Sequence, residues 1–394
     1  MRAYQRILLL LLLLLCLLHT GAALASEDGM ARDITADCLL NGLSTMERVR
    51  DGSYSTHWQA SAQRNELIVE APAGELIGGL LLRWYGWPQD VLLQAPGADG
   101  EAWETLLSVT DDFCALYIPV DGRAVCRVVP ASGSERLALV ELTVVTPGTL
   151  PDDFQVWRAP KDKVDLMLIH GHPDDELIWF GGLLPTYAGE RRKEVLTVCV
   201  VPHMRHRRLE LLDALWMCGV RAHPVFARLP DVNSSKIADV FAQWGRDVPV
   251  ELFTQLYRQY KPDVVVLHDT QGEYGHAVHR IASQLGVKAV GYAEDESRFP
   301  AQVEQYGLWS VPKVYIHLYP ENQIQMDWWQ PLDRFGGKTA QDVAREAYAC
   351  HVSQKKNGKW DVWDGGQWDN SLFGLYRSLV GPDALGGDMF ENID

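Results

Sequence analysis

Val164-Asp-Leu-Met-Leu-Ile-His-Gly-His-Pro-Asp-Asp-Glu176 decides the reading of this chain. An apolar run, Leu166 to Ile169, stops in a cluster of imidazole and carboxylate, with Gly181-Gly182 just beyond. A second stretch repeats the pattern: Val264 to Leu267, then His268-Asp-Thr-Gln-Gly-Glu-Tyr-Gly-His-Ala-Val-His279. Each apolar run reads as a buried strand that delivers His and Asp at its C-terminal end. In α/β sheets ligands bind at that edge. One site built from two loops, with the chemistry of a metal-dependent hydrolase, is therefore expected.

His172 and Asp175 stand three apart where a strand turns into a helix, so both side chains reach one point beyond the sheet. Pro173 suits the first helical turn, where a missing N–H costs nothing. His276 and His279 have the same spacing. Two imidazoles and one carboxylate, with a position left for water, are the donor set of a catalytic zinc site, and they suit iron(II) as well. Asp174, beside a ligand but aimed elsewhere along the turn, is the candidate base for that water. Taken alone, His-Pro-Asp-Asp also reads as a helix cap with acidic first-turn residues, and the second loop as a polar turn. The pairing of both at strand ends favours the site. His170, His268 and Asp269 lie close by and read as supporting groups, Asp269 being the best placed to orient an imidazole. His57, His203, His206, His223, His317 and His351 read as structural.

The 394 residues suggest two domains, and 47% apolar content is enough for sizeable cores. Arg2 and Arg6, the apolar run Ile7–Leu18 and Ala23-Leu24-Ala25 form an export signal over residues 1–25. Its apolar core is short for a membrane span of roughly 20 residues; cleavage after Ala25 and retention as an anchor both stay open, with no transmembrane segment expected after cleavage. Loss of Arg2 and Arg6 takes the formal charge from −16 to −18. That balance argues against nucleic acid, whose binding is driven by Lys and Arg. Six cysteines follow the signal, none in a CxxC pair. Cys114 and Cys126 flank Pro119-Val-Asp-Gly122, a turn signal that would set them across a hairpin, as a disulfide or as buried thiols.

Residues 31–148 read as all-β, with short apolar runs such as Leu67-Ile-Val69, Leu80-Leu-Leu82 and Val91-Leu-Leu93 between Gly, Pro, Asp and Asn. Asp51–Trp58 and Arg83-Trp-Tyr-Gly-Trp87 place polar groups beside aromatic faces, which either stack on sugars or fill the core. Together Ile34-Thr-Ala-Asp37, Asp51-Gly-Ser-Tyr-Ser-Thr-His-Trp58, Leu67-Ile-Val69 and Asp99-Gly-Glu-Ala-Trp103 resemble a discoidin (coagulation-factor type C) domain. The resemblance implies a jelly-roll of galactose-binding-like fold with a carbohydrate ligand on its end loops. Residues 149–162 read as a linker.

From 163 to 394 strands alternate with helices, which means a parallel sheet with right-handed crossovers. Helices are expected over Glu176–Gly189, Arg205–Cys218, Val250–Tyr260, His279–Leu285 (ended by Gly286) and Ala340–Cys350. Further strands are expected over Glu194–Val201, Val225–Leu229 and Trp309–Leu318, and the Trp-bearing tail after Gly365 is expected to pack on the domain.

His172-Pro-Asp-Asp-Glu176 and Gly272-Glu-Tyr-Gly-His-Ala-Val-His279 closely resemble the PIG-L/LmbE-like de-N-acetylases. Arg207-Arg-Leu-Glu-Leu211, Lys313-Val-Tyr-Ile-His317 and His351-Val-Ser-Gln354 extend the likeness. It implies a Rossmann-like fold and zinc-dependent removal of acetyl groups from N-acetylglucosamine derivatives. It also implies one Zn2+ per chain on His172, Asp175 and His279, with Asp174 as general base. His276 would be electrophile or general acid, Tyr274 would donate to the oxyanion, and Arg207 would hold substrate hydroxyls. Some members have an acidic residue immediately before the last metal His, orienting the catalytic His; here it is Val278. The expected protein is an exported enzyme acting on a glycan or glycoconjugate. An amidase for another sugar-linked amide and a non-catalytic glycan-binding protein are the alternatives.

Overall fold

Leu166–His170 has no exposed position, which requires a sheet covered on both faces. In the computed structural model, which describes residues 29–43, 46–98, 100, 102–133, 136–202, 204–356 and 358–393, that strand lies at the centre of the second of two compact units, Met1–Gln155 and Val156–Asp394. The expected export signal, Asp99 and Glu101 of the discoidin-like stretch, and His203 lie outside the described residues.

The first unit contains β1 (Leu39–Leu40), β2 (Trp58–Gln59), β3 (Leu67–Glu70), β4 (Ile77–Trp84), β5 (Val91–Pro96), β6 (Trp103–Val109), β7 (Ala115–Arg123), β8 (Val125–Pro130) and β9 (Ala138–Val145). They form two sheets, in the orders β1-β3-β8-β5-β6 and β2-β9-β4-β7, with every pairing antiparallel. Period-2 alternation turns Leu67, Val69, Cys126 and Val128 of one sheet and Leu80, Leu82, Ile118 and Val144 of the other into one shared core. The expected hairpin is absent. β7 runs straight through Pro119–Gly122, and the chain then changes sheets to enter β8. Pro119 is accommodated because β7 is an edge strand, where a missing donor does no harm. Cys114, just before β7, and Cys126, within β8, therefore belong to different sheets, and both are buried. The aromatics divide: Trp84 fills the core, whereas His57 stacks on Tyr85 with centroids 3.6 Å apart.

The second unit contains β10 (Leu166–His170), β11 (Val195–Cys199), β12 (Val225–Phe226), β13 (Val264–Leu267), β14 (Lys313–His317), β15 (Gln323–Gln325) and β16 (Leu372–Ser378). Its helices are α1 (Asp175–Ile178), α2 (Arg205–Met217), α3 (Ile237–Trp244), α4 (Val248–Tyr260), α5 (Ala277–Glu294), α6 (Pro300–Tyr306), α7 (Ala340–Tyr348) and α8 (Val352–Lys355). The strand order β12-β11-β10-β13-β14-β16-β15 reverses direction between β10 and β13, the kind of switch point at which α/β sheets bind ligands. Five strands are parallel, but β16 runs antiparallel to both β14 and β15, so the sheet is mixed rather than wholly parallel. The expected helix over Glu176–Gly189 is only the short α1, because Gly181 adopts a left-handed backbone (φ +48°); a π-helical turn, Pro185–Glu190, follows. α5 does not end at Gly286. A Cβ there would lie 2.8 Å from Leu267 Cδ2, so this glycine lets helix and strand approach closely. The expected linker also carries structure: Trp157 is buried edge-on against Trp216. Among the described residues no helix is long and apolar enough to cross a membrane.

Candidate metal centre

β10 and β13 pair in parallel from Leu166↔Val264 to Ile169↔Leu267, so the loops that follow them leave the sheet side by side. In the first loop the chain turns at once into α1, and Asp175 folds back on His172. Asp175 Oδ2 accepts the His172 backbone N–H at 2.6 Å, while Oδ1 accepts the Trp179 indole N–H at 2.8 Å. The second loop turns on Gly272 (φ +74°), where a Cβ would lie 2.6 Å from the His276 carbonyl oxygen. α5 then carries His279 inward to full burial.

Three donor atoms converge. Asp175 Oδ2 lies 3.2 Å from His172 Nδ1 and 3.1 Å from His279 Nε2, and the two nitrogens are 3.3 Å apart. Ligands at the ~2.0–2.1 Å of a tetrahedral zinc site would be separated by about 3.3–3.4 Å, so this triangle has the size of one face of such a site. The other His279 nitrogen, Nδ1, is held by Glu273 Oε2 at 2.8 Å, which leaves Nε2 directed at the shared point. The electrostatics agree. Burial alone would lower the His279 pKa, but Asp175 and Glu273 raise it to about 10. Burial would likewise raise Asp175, yet His279 and His172 hold it well below the usual carboxylate range. Positive charge is favoured at this point, and the donor set fits a divalent cation. Gly171 lies under the triangle: a Cβ there would be 2.9 Å from both Asp175 Oδ2 and His279 Cδ2.

Asp174 occupies a rarely populated backbone conformation for a residue with a side chain, at φ +118°. Its backbone N–H donates to Glu176 Oε2 at 2.8 Å, and its Oδ1 accepts from the Arg207 guanidinium at 2.7 Å. Burial pushes its carboxyl up to about 7, with Arg207 pulling the other way. His276 has an unpartnered, buried Nδ1, and burial, with His279 and His172 nearby, lowers its pKa to about 3. Burial thus favours the neutral imidazole, and Val278 supplies no carboxylate to offset it. Tyr274 packs on Trp179 and remains 40% exposed. A cavity of about 280 Å³ is lined by His172, Asp174, Asp175, Arg207, Tyr274 and His276, among others. The structure thus brings the seven site residues together, His279 lying buried beneath the cavity.

One expectation fails around the site, and several contacts were missed in the sequence. Asp269 does not orient an imidazole; its Oδ1 accepts the Gln271 N–H at 3.0 Å and shapes the turn. That task falls to Glu273, missed in the sequence, which contacts His268 at 2.9 Å, His279 at 2.8 Å and His317 at 3.2 Å. His351 is tied to the site from behind through Glu176, 2.6 Å away. Arg207, expected to hold substrate hydroxyls, lines the cavity, with one terminal nitrogen donating to Asp174 and the Pro173 carbonyl. Asp231, 3.4 Å from His172 Nε2, was also missed. The clue to Glu273 was its position between histidines that end or follow adjacent strands.

The family described as PIG-L: GlcNAc-PI de-N-acetylase matches residues 167–290. A Saccharopolyspora erythraea protein named 1D-myo-inositol 2-acetamido-2-deoxy-alpha-D-glucopyranoside deacetylase 2 is 31% identical over 40% of this chain and 67% of its own length. The chain belongs to the PIG-L de-N-acetylase family. A Catenulispora acidiphila deacetylase of the same name, numbered 1, is 28% identical over 40% of this chain, and the match spans 57% of that relative. Among solved structures, the N,N'-diacetylchitobiose deacetylase of Pyrococcus horikoshii aligns with a TM-score of 0.38 and 19% identity, over 52% of this chain and 75% of its own. Every residue of the metal triangle and both of its loops lie inside the PIG-L match.

Proposed function

We propose that this PIG-L protein hydrolyses the N-acetyl amide of an N-acetylglucosamine-containing glycan or glycoconjugate and releases acetate, using one zinc ion per chain on His172, Asp175 and His279. The observation that carries this reading is the donor triangle of 3.1–3.3 Å with Asp174 beside it. The relatives named above as deacetylases of a 2-acetamido-2-deoxyglucopyranoside support the sugar acetamide as the bond cleaved.

Zinc at the triangle would supply Lewis acidity, acidifying water and polarising the amide carbonyl. The protein groups do the rest. Asp174, whose carboxyl titrates near 7, takes one proton from the attacking water. The water oxygen bonds to the acetyl carbon, and neutral His276 and the Tyr274 hydroxyl donate to the developing oxyanion. The carbon–nitrogen bond breaks, the proton held by Asp174 passes to the leaving amine, and the acid formed gives its remaining proton to solvent or to the free amine as acetate departs. Arg207 keeps the Asp174 carboxyl in place.

Residues 1–25 act as an export signal in this reading, and the first unit is a discoidin-like, glycan-binding jelly-roll. The His57–Tyr85 stack beside the Tyr54–Arg83 hydrogen bond of 3.0 Å supports that role for the first unit. Acetate release across a panel of N-acetylated glycans tests the reaction. A larger acid would instead indicate an amidase, and no product from metal-replete protein a binding protein.

A further inference from the structure

Four aromatic rings extend from the cavity toward solvent. Trp360 lines the cavity and lies 4.8 Å from Tyr274 and 5.2 Å from buried Trp179. Trp363 is 5.6 Å from Trp360 and stacks on Trp368 at 6.0 Å and 22°. The three outer tryptophans lie beyond the family-matched segment 167–290.

The segment that carries them is anchored. Tyr348 donates to the Trp360 carbonyl at 3.1 Å, Gln341 to the Val362 carbonyl at 3.1 Å, and Arg345 to Asp364 at 2.6 Å, all from α7. Trp368 donates its indole N–H to the Glu273 carbonyl at 3.1 Å, which fixes the platform to the loop bearing Tyr274 and His276. Despite this anchoring Trp363 remains 37% exposed. A large, rigid aromatic ring left half-open at the mouth of a site offers apolar area at little ordering cost.

The cavity sets the second constraint. At about 280 Å³ it lies near the lower end of the ~300–1,000 Å³ usual for ligand pockets, a size that suits the reacting sugar more than a chain of several. Trp360 leads from the cavity wall to Trp363 and Trp368, and the electron-rich face of an indole suits the C–H face of a pyranose ring.

We infer that Trp363, with Trp360 and Trp368, forms a second sugar subsite, so that the substrate is an oligosaccharide in which a neighbouring pyranose stacks on Trp363. This inference rests on the deacetylase reading above. Lys359, with its ammonium 4.9 Å from the Trp360 ring centroid, supplies a donor for hydroxyls at the same rim.

The test compares full-chain, zinc-loaded wild type with Trp363→Ala and Trp363→Phe on N-acetylglucosamine and its β-1,4-linked trimer. The wild type favours the trimer in kcat/KM. Trp363→Ala lowers kcat/KM about tenfold more on the trimer than on the monosaccharide, mainly through KM, and Trp363→Phe recovers part of the loss. Equal losses on both substrates, or none, would overturn the subsite. Quenching of tryptophan fluorescence by the trimer separates the two claims. Trp363-dependent binding without acetate release keeps the subsite and removes the reaction; acetate release without that dependence does the reverse. Failure of both removes both.

Discussion

Asp174 is held between Arg207 and Glu176 on a strained backbone at φ +118°, a cost that persists only where surrounding contacts fix it. If its carboxylate is the base, Asp174→Asn will bind metal normally and lose about 10²–10⁴ in kcat; metal analysis beside acetate kinetics reads both. Glu273→Gln has a different signature, because Glu273 acts through His279: metal affinity should fall about 10–100-fold, measured by competition with a chelator. His172, Asp174, Asp175 and His276 were legible in the sequence because short spacings fix them to strand ends. Glu273 was not, since its role exists only once β13, β14 and α5 bring three imidazoles to one carboxylate. The protonation of His276 was not legible: Val278 marked only a missing acidic neighbour, and the burial that lowers its pKa belongs to the folded site.

Among the elements, apolar runs located β10, β11 and β13 within a residue or two, since their burial is continuous. Gly286 misled because a glycine that ends a helix and one that lets a helix touch a strand look alike in sequence. β16 was hidden for another reason: only the folded sheet leaves β14 an open edge for the tail to fill. Beyond β16 the tail is pinned by fully buried Lys313, which donates to Asp383 at 2.5 Å and to the Glu391 carbonyl at 3.0 Å, with Tyr315 donating to the other Asp383 oxygen. Asp383→Asn would strand that ammonium and lower unfolding stability by about 3 kcal/mol, whereas Lys313→Met with Asp383→Leu should recover most of it; urea denaturation distinguishes them. His223, before β12, gives a pH signature. Burial lowers its pKa to about 3, so the unfolded chain binds the extra proton between about pH 6.5 and 3. The stability from its neutral form is full above about 6.5 and lost as pH falls toward 3, and His223→Phe should flatten that slope in pH-dependent melting.

At the scale of the molecule, the chain divides into a β-rich unit and an α/β unit with the candidate metal centre at the switch point of its sheet. The change from short punctuated strands to alternating strands and helices made this division visible in the sequence, although the second unit begins earlier, with buried Trp157, inside what read as linker. The central claim, metal-dependent de-N-acetylation, is tested most directly on one sample assayed for metal content and for acetate released from N-acetylglucosamine-containing glycans, before chelation, after it and after zinc is restored. The account predicts one divalent ion per chain, acetate release lost with the metal, and recovery on reloading. Full acetate release by metal-free protein, or none by metal-replete protein on any such glycan, would contradict it.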